Sequence, residues 1–334
     1  MSNNISRIMI ETVVKRYLRD IKDSPERSIR NLVDMALQFS NSRFQQRFFT
    51  AAQRMLKNEN SGYYALVRDV ATHVSQERLL RFGMNLGYNG CTLGARRIRE
   101  KEAELHCNIP WSITLCLGDW TSQQKERVSQ IVHQGESLGI HTWLLFAQGH
   151  MTQAIELASE HPDSAFVLFC EAEDLSAPVL DDLREQEHMM PALRFEEAAE
   201  EACGRLREAE MPYSVYLSYD DGSLESILNG EVLCSAQQLH PMFTAFAPAP
   251  DCPQEIRHLV YQAVQRFRSE QLYHTIVWEL VEDHLFVDHI ISDDSCCAVF
   301  DAEGELAGSE GTNLFRQELV DIFQQTFPKK EAAE

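Results

Sequence analysis

The feature that most constrains the fold is a regular alternation of short apolar runs and longer amphipathic segments between residues 111 and 280. In its first unit, Trp111–Leu117 predicts a strand, Thr121–Leu138 a helix and His141–Ala147 a second strand. Strands separated by helix-length crossovers favour a parallel sheet. Six or more such units favour a barrel, closed or open, over a doubly wound sheet. The predicted class is therefore α/β, a partial or distorted (β/α) TIM-like barrel.

The later elements follow the same pattern. Strands are predicted at Ala165–Cys170, Pro191–Arg194, Tyr213–Ser218, Met242–Ala247 and His274–Leu280. Beyond them the pattern changes, and two short strands, a turn and a closing helix are predicted at Leu285–Ile291, Cys296–Phe300, 301–304 and Asn313–Phe327.

Residues before this alternation are predicted to be helical, which places an all-α domain at 1–106 and the barrel at 107–334. Ser24-Pro25-Glu26 is a typical helix start, with a capping serine, a proline in the first turn and an acid near the positive end of the dipole. Gly87, Asn89 and Gly90 are predicted to interrupt the helices before a last one at Thr92–Leu105. The aromatic stripe Phe44, Phe48 and Phe49 is interpreted as core, with a partner surface as the alternative.

The net charge of −21 is divided unevenly along the chain. Residues 1–105 carry 18 Lys and Arg against 11 Asp and Glu, and the remainder carries 12 against 40. Because the basic residues are scattered among acids and the acidic body would repel phosphate, nucleic-acid binding is not expected. An interaction of the basic part with the acidic part is the favoured explanation.

The nine cysteines are too few for a disulfide scaffold, and no two are separated by two or three residues. Zinc-finger, iron–sulfur and thioredoxin-like spacings are therefore absent, and buried reduced thiols are expected. No apolar run of 18 residues and no signal peptide are present, which predicts a cytoplasmic protein with no membrane partner.

Several short motifs occur in a recognisable order. Cys107-Asn108-Ile109-Pro110-Trp111 leads into the first strand, and the first helix ends in Gln134-Gly135-Glu136-Ser137-Leu138-Gly139. His161-Pro162-Asp163 precedes the third strand, Met211-Pro212-Tyr213 the fifth, and Asp301-Ala302-Glu303-Gly304 forms a late turn. In this order they resemble the radical S-adenosylmethionine (SAM) proteins of anaerobic bacteria that begin with a helical domain. The resemblance implies a four-iron cluster on a C-x-x-x-C-x-x-C loop after the first strand, and a Gly-Gly-Glu-Pro segment that meets SAM after the second.

The chain departs from that family at each cofactor position. Only Thr114–Thr121 fills the place of a loop of some thirty residues, and it lacks the cysteine triad. The Gly-Gly-Glu-Pro position reads Ala147-Gln148-Gly149-His150. The polar SAM-contact region is shortened to Arg194-Phe195-Glu196-Glu197, and Ala307-Gly308-Ser309-Glu310 replaces an expected cysteine. No cluster or SAM cofactor is therefore expected, because cluster chemistry needs thiolates and groups that orient SAM.

These departures predict a pseudoenzyme, a radical-SAM-like protein without that chemistry. Its work would be binding, either as a regulatory subunit for an intact radical SAM protein or another protein, or as a small-ligand binder. Binding residues are expected at the barrel mouth, where parallel strands end. The candidates are Asp119, Gln148, His150, Glu171, Arg194, Glu196 and Tyr219, with Glu173 and Asp220 nearby.

The alternative is a metal-assisted hydrolase or lyase that uses this acidic rim, with a divalent ion near Asp119, His150 and Glu171. A second cluster of acid and histidine occurs at His284–His289. If that run is a strand, His284 and Asp288 share a face that excludes His289, so a common metal site is not expected. No catalytic residues are assigned.

Overall fold

The structure is a computed structural model that describes residues 2–21, 24–38, 43–292 and 294–329. The amino-terminal third is helical, as predicted. Its α-helices are α1 Ser2–Asp20, α2 Pro25–Gln38, α3 Arg43–Met55, α4 Gly62–His73, α5 Gln76–Gly83 and α6 Ala95–Leu105, with a π-helix at Met84–Gly94 between the last two.

Eight parallel strands form the sheet, in the order β7-β6-β5-β4-β3-β2-β1-β8. Because β7 and β8 stand at opposite ends of this order, the barrel is open, and the predicted class of a partial TIM-like barrel is confirmed. The strands are β1 Ile113–Cys116, β2 Thr142–Phe146, β3 Ala165–Cys170, β4 Met189–Arg194, β5 Ser214–Tyr219, β6 Phe243–Pro248, β7 Ile276–Glu279 and β8 Ala298–Phe300.

Helices connect the strands as crossovers. They are α7 Ser122–Leu138, α8 Met151–Ser159, α9 Ala177–Arg184, α10 Ala199–Glu208, α11 Leu224–Leu228, α12 Glu231–Ala236, α13 Gln254–Glu270 and α14 Glu282–Ser292, and α15 Leu319–Thr326 follows β8. None of the helices in the described ranges is long and apolar enough to cross a membrane.

The chain divides into two compact units, each assembled from separate segments. The first comprises Met1–Arg81, Glu171–Leu175 and Met190–Asp283, and the second comprises Phe82–Cys170, Ser176–Met189 and His284–Glu334. The division between a helical domain and a barrel at residue 106 stays a prediction.

In the second unit, successive residues of each strand point to opposite faces of the sheet. Trp143 of β2 is fully buried on the face that packs against α7. A Cβ atom on Gly135 of α7 would lie 2.6 Å from the Trp143 ring, so the helix can approach only where it has no side chain. The opposite face carries Phe146 and Phe169, whose rings stack at 4.4 Å between centroids with 6° between their planes.

The predicted break at Gly87–Gly90 is wrong, because the helix continues through it as the π-helix Met84–Gly94. Asn85 Nδ2 donates to the carbonyl oxygens of Pro162 and Ser164 at 2.9 and 2.8 Å. Asn89 Nδ2 donates to the Asp163 carbonyl at 2.8 Å. These tertiary hydrogen bonds stabilise a segment whose composition alone predicts a loop.

The predicted strand at Leu285–Ile291 is also wrong, because these residues lie in α14. The buried positions His284, Val287, Asp288 and Ile291 follow the i, i+3, i+4, i+7 spacing of a helix face. Phe286, which a strand would place beside His284 and Asp288, is 55% exposed.

Two smaller expectations are wrong, and one helix is missing from the predicted elements. The closing helix begins at Leu319 rather than at Asn313, since the Asn313 side chain instead holds a turn by donating to the Glu303 carbonyl at 2.9 Å. Helix α12 was not predicted. In the aromatic stripe, Phe48 is 56% exposed and packs edge-on against Phe49, so Phe48 is not core. The side chain of Phe44 lies outside the described residues.

Candidate functional site

The turn after β1 is the position where the family resemblance predicts a cluster loop. It consists only of residues 117–121, and α7 begins directly after it. Thr121 caps that helix: its Oγ1 accepts from Gln124 N at 3.3 Å, and its own N donates to Gln124 Oε1 at 2.9 Å. This reciprocal capping box fixes the start of α7 at the end of the five-residue turn.

Trp120 closes this turn against the carboxyl-terminal segment of the same unit. Its Nε1 donates to the Ala302 carbonyl at 2.7 Å, and its ring packs edge-on against Phe315 with 5.8 Å between centroids. Trp120 is only 8% exposed. A Cβ atom on Gly118 would lie 2.9 Å from the Cβ of Ala302, so the turn and the 301–304 loop are in close contact. The space after β1 is filled by protein.

A four-iron cluster does not fit these residues. The only thiol next to the turn is Cys116, whose pKa is raised by burial and further by the nearby carboxylates of Asp301 and Glu303. Iron is bound by thiolates, so this environment opposes the required charge state. Within the described ranges, no group of three or more His, Cys, Asp or Glu side chains could hold a metal ion.

The turn after β2 carries the predicted residues Gln148 and His150, both half-buried, while Asp119 in the preceding turn is exposed. Ala147 is fully buried, and its N donates to the Phe169 carbonyl at 2.8 Å. Gly149 has a φ of +73°, which a glycine adopts without strain. This turn offers an amide and an imidazole, but no carboxylate.

In the first unit the structure brings two predicted residues together. Arg194 Nη1 donates to Glu171 Oε1 at 3.0 Å, and this hydrogen bond raises the pKa of Arg194. Both side chains are at least one-third exposed, so the pair contributes less than about 1 kcal/mol to stability. Glu196 is exposed. A charged ligand could therefore replace one member of this exposed ion pair at a small cost in free energy.

Tyr219, the last residue of β5, is fully buried on the face that packs against α13, in a cluster with Phe246 and Val260. Its hydroxyl donates to Glu279 Oε1 at 2.9 Å. Sequence reasoning missed Glu279, the last residue of β7, although its place at a strand end was a usable signal. Glu279 is fully buried, and its pKa is raised by burial against the opposing effect of hydrogen bonds from Glu282 N and Tyr219.

Glu279 has a structural explanation that does not require a ligand. Its Oε2 accepts from the backbone nitrogens of Val281, at 2.9 Å, and Glu282, at 2.5 Å, and so satisfies donors at the start of α14. The buried carboxylate therefore holds a helix start to a strand end.

Comparisons with known proteins give only distant likenesses. No protein-family profile matches the chain, and no curated protein matches it by sequence. Its fold is similar to Streptococcus suis SuiB bound to the precursor peptide SuiA, with 9% identity, coverage of 70% of this chain and 69% of the other, and a TM-score of 0.47. SuiB bound to S-adenosylmethionine gives 10% identity, coverage of 71% and 69%, and a TM-score of 0.48.

A third structure, SuiB alone, gives 8% identity, coverage of 95% of this chain and 82% of the other, and a TM-score of 0.48. Identities of 8–10% and TM-scores below 0.5 assign neither a family nor an activity. The resemblance to radical SAM proteins therefore continues to rest on the sequence motifs.

Proposed function

We propose that the strand ends of this protein form a binding site on a radical-SAM-like scaffold, without an iron–sulfur cluster or SAM chemistry. The observation that carries the proposal is the closed turn after β1, where Trp120 is bonded to Ala302 and packed on Phe315. The family resemblance implies a cluster loop at this turn, and residues 117–121 contain no cysteine that could hold a cluster.

The binding role follows from what remains at the strand ends. The turn after β2 keeps Gln148 and His150 as hydrogen-bonding groups. Arg194 carries a cation whose present partner, Glu171, is exposed enough to be replaced. These groups suit recognition of a polar small ligand or of a protein segment, the latter either an intact radical SAM protein or another subunit. A metal-assisted hydrolase is not favoured, since the described residues hold no metal-binding group.

Anaerobic reconstitution with iron and sulfide tests the absence of a cluster. We expect no iron–sulfur charge-transfer absorbance and no stoichiometric iron or sulfide after desalting, because the three thiolate ligands are missing. The Cys116→Ala variant is the matched control, since it removes the one thiol beside the turn. Equal, low iron in both proteins is the expected result. Stoichiometric iron in the parent that is lost in the variant would contradict the proposal.

The two binding roles are separated by a second measurement. Coexpression with an intact radical SAM protein encoded by a neighbouring gene, followed by size-exclusion chromatography with light scattering, detects a stable complex. Thermal shifts with a panel of small polar metabolites, compared between the parent and Arg194→Ala, detect a small ligand. Absence of both would contradict binding at these strand ends.

A further inference from the structure

A groove of about 520 Å³ lies on the surface of the second unit, away from the strand ends discussed above. It is open to solvent and is lined by residues of α7 and by the segment after α8, among them Ser129, His133, Glu160 and His161. Its volume lies within the range of small-molecule sites. The proposed function does not use this groove.

Three side chains in and under the groove form a connected line. Ser129 Oγ lies 3.2 Å from His161 Nε2, and His161 Nδ1 lies 3.4 Å from Glu136 Oε2. Ser129 and Glu136 are seven residues apart on α7 and therefore share a helix face. A hydroxyl, an imidazole that can accept its proton, and a carboxylate that orients the imidazole are the parts of a serine nucleophile site.

The carboxylate at the end of this line is firmly held. Glu136 Oε1 accepts from Ser164 Oγ at 2.7 Å. Burial raises the pKa of Glu136, but hydrogen bonds from His161 and Ser164 and the nearby His141 outweigh it, so the pKa is lowered overall. His161 is only 6% exposed. An ionised carboxylate beside His161 Nδ1 favours the tautomer with its proton on Nδ1, which leaves Nε2 as the acceptor that faces Ser129.

Glu160 competes with His161 for the serine proton. Ser129 Oγ donates to Glu160 Oε2 at 2.5 Å, and Glu160 is an exposed side chain. A hydroxyl has a single proton, so a serine that donates to Glu160 is not simultaneously donating to His161. The serine proton would be available to the imidazole only after the exposed Glu160 side chain turned away from Ser129.

We propose that Ser129, His161 and Glu136 form a second, hydrolytic site that cleaves small polar esters bound in this groove. The Ser129 oxygen forms a bond to the ester carbonyl carbon while its proton passes to His161 Nε2. The carbon–oxygen bond to the alcohol then breaks, and His161 returns the proton to the leaving alkoxide. Water attacks the acyl-serine in the same way, which releases the acid and restores the serine proton.

Ser129 and His161 are the catalytic residues in this proposal, and Glu136 is a positioning residue. Gln130 also lines the groove, and its side-chain N–H group is a donor of the kind that a developing oxyanion requires. Arg127 lines it too, but its N–H groups already donate to the carbonyl oxygens of Leu314 and Gln317 and pair with Glu318. The polar lining as a whole favours a polar ester over a lipid.

A fluorophosphonate probe on the full chain tests the nucleophile directly, because Ser129 would displace fluoride from phosphorus. We expect covalent labelling that peptide mapping places at Ser129, abolished in Ser129→Ala and reduced by at least about 100-fold in His161→Gln. Glu160→Ala should label faster than the parent, since it removes the competing acceptor. The same order of rates is expected for p-nitrophenyl acetate hydrolysis.

Ser137→Ala is the matched control, because Ser137 is an exposed serine on the same helix that donates to the Gln134 carbonyl. For Glu136, Glu136→Gln should lower the labelling rate constant while leaving probe affinity unchanged, and Glu136→Asp should partly restore it. Thermal unfolding of each variant shows whether it folds. No labelling of the folded parent, labelling at another serine, or equal labelling in a folded His161→Gln variant would overturn the proposal.

Discussion

Replacing Asp288 with alanine is expected to lower the free energy of unfolding by about 2–5 kcal/mol, because two buried backbone donors lose their acceptor. Asp288 is fully buried on α14. Its Oδ1 accepts from Trp111 N at 3.0 Å, and its Oδ2 accepts from Cys296 N at 2.8 Å. One carboxylate thereby fixes the approach to β1 and the approach to β8.

Urea denaturation at pH 5 measures this loss, with Asp182→Ala as the control. Asp182 is an exposed acid on α9, and its removal should change stability by no more than about 0.5 kcal/mol. Equal stability of the two variants would show that the Trp111 and Cys296 nitrogens find other acceptors.

The same carboxylate gives stability a predicted pH dependence. Burial raises the pKa of Asp288 from its ordinary 3.8 to about 7, against the opposing effect of its backbone hydrogen bonds. Between these pH values Asp288 is more fully protonated in the folded protein than in the unfolded chain. The contribution is therefore fully present below about pH 4 and is lost as pH rises to about 7, by a total on the order of 4 kcal/mol.

Asp288→Asn isolates this contribution, because an amide does not titrate. The difference between parent and variant should change across pH 4–7, whereas the effects of other groups cancel. Glu279, whose pKa is also raised, acts in the same direction in both proteins. Glu136 and Asp69, whose pKa values are lowered, act in the opposite direction in both. A parent-minus-variant curve that is flat over this range would contradict a raised pKa for Asp288.

The alternation of strands and helices could be predicted because each strand packs one of its faces against one face of the helix that follows it. The strand Ala165–Cys170 was predicted to the residue. Its run of apolar side chains is bounded by polar residues at both ends, so local sequence suffices.

The π-helix and α14 could not be predicted from local sequence, because distant partners determine them. Asn85 and Asn89 stabilise a helix only because carbonyl groups of residues 162–164 are within reach. The run from His284 alternates like a strand. In the structure His284 stacks on the Trp111 ring at 5.3 Å between centroids, and Asp288 accepts a hydrogen bond from the Trp111 backbone nitrogen. His284 and Asp288 can both reach Trp111 because they are four residues apart on one face of a helix. The acids Glu282 and Asp283 were the local signal of a helix start.

The candidate site shows the same division. The sequence located Gln148, His150, Glu171 and Arg194 at strand ends, because strand ends follow from periodicity. It did not indicate that Arg194 pairs with Glu171, nor that Tyr219 points into the helix-packed core. Local sequence shows Trp120 only as part of a short loop, because its partners Ala302 and Phe315 are about 180 and 195 residues away in sequence.

Replacing Trp120 with alanine is the second large change, with an expected loss of about 3–5 kcal/mol in the free energy of unfolding. The variant loses a nearly buried indole, its contact with Phe315 and its hydrogen bond to the Ala302 carbonyl. Trp120→Phe keeps a ring against Phe315 and loses only the hydrogen bond and some ring area. Trp120→Phe should therefore lower the free energy of unfolding by about 1 kcal/mol, much less than Trp120→Ala does.

Denaturation of both variants also tests why the turn after β1 is closed. If closure depends on packing, Trp120→Ala should become unstable while gaining no capacity for iron, since removing the indole makes space but supplies no thiolate. A Trp120→Ala protein as stable as the parent would contradict closure by packing. The Thr121 cap alone would then be sufficient to hold the turn. The indole and its contacts with residues 302 and 315 would have to be displaced before cysteines placed in residues 117–121 could surround a cluster.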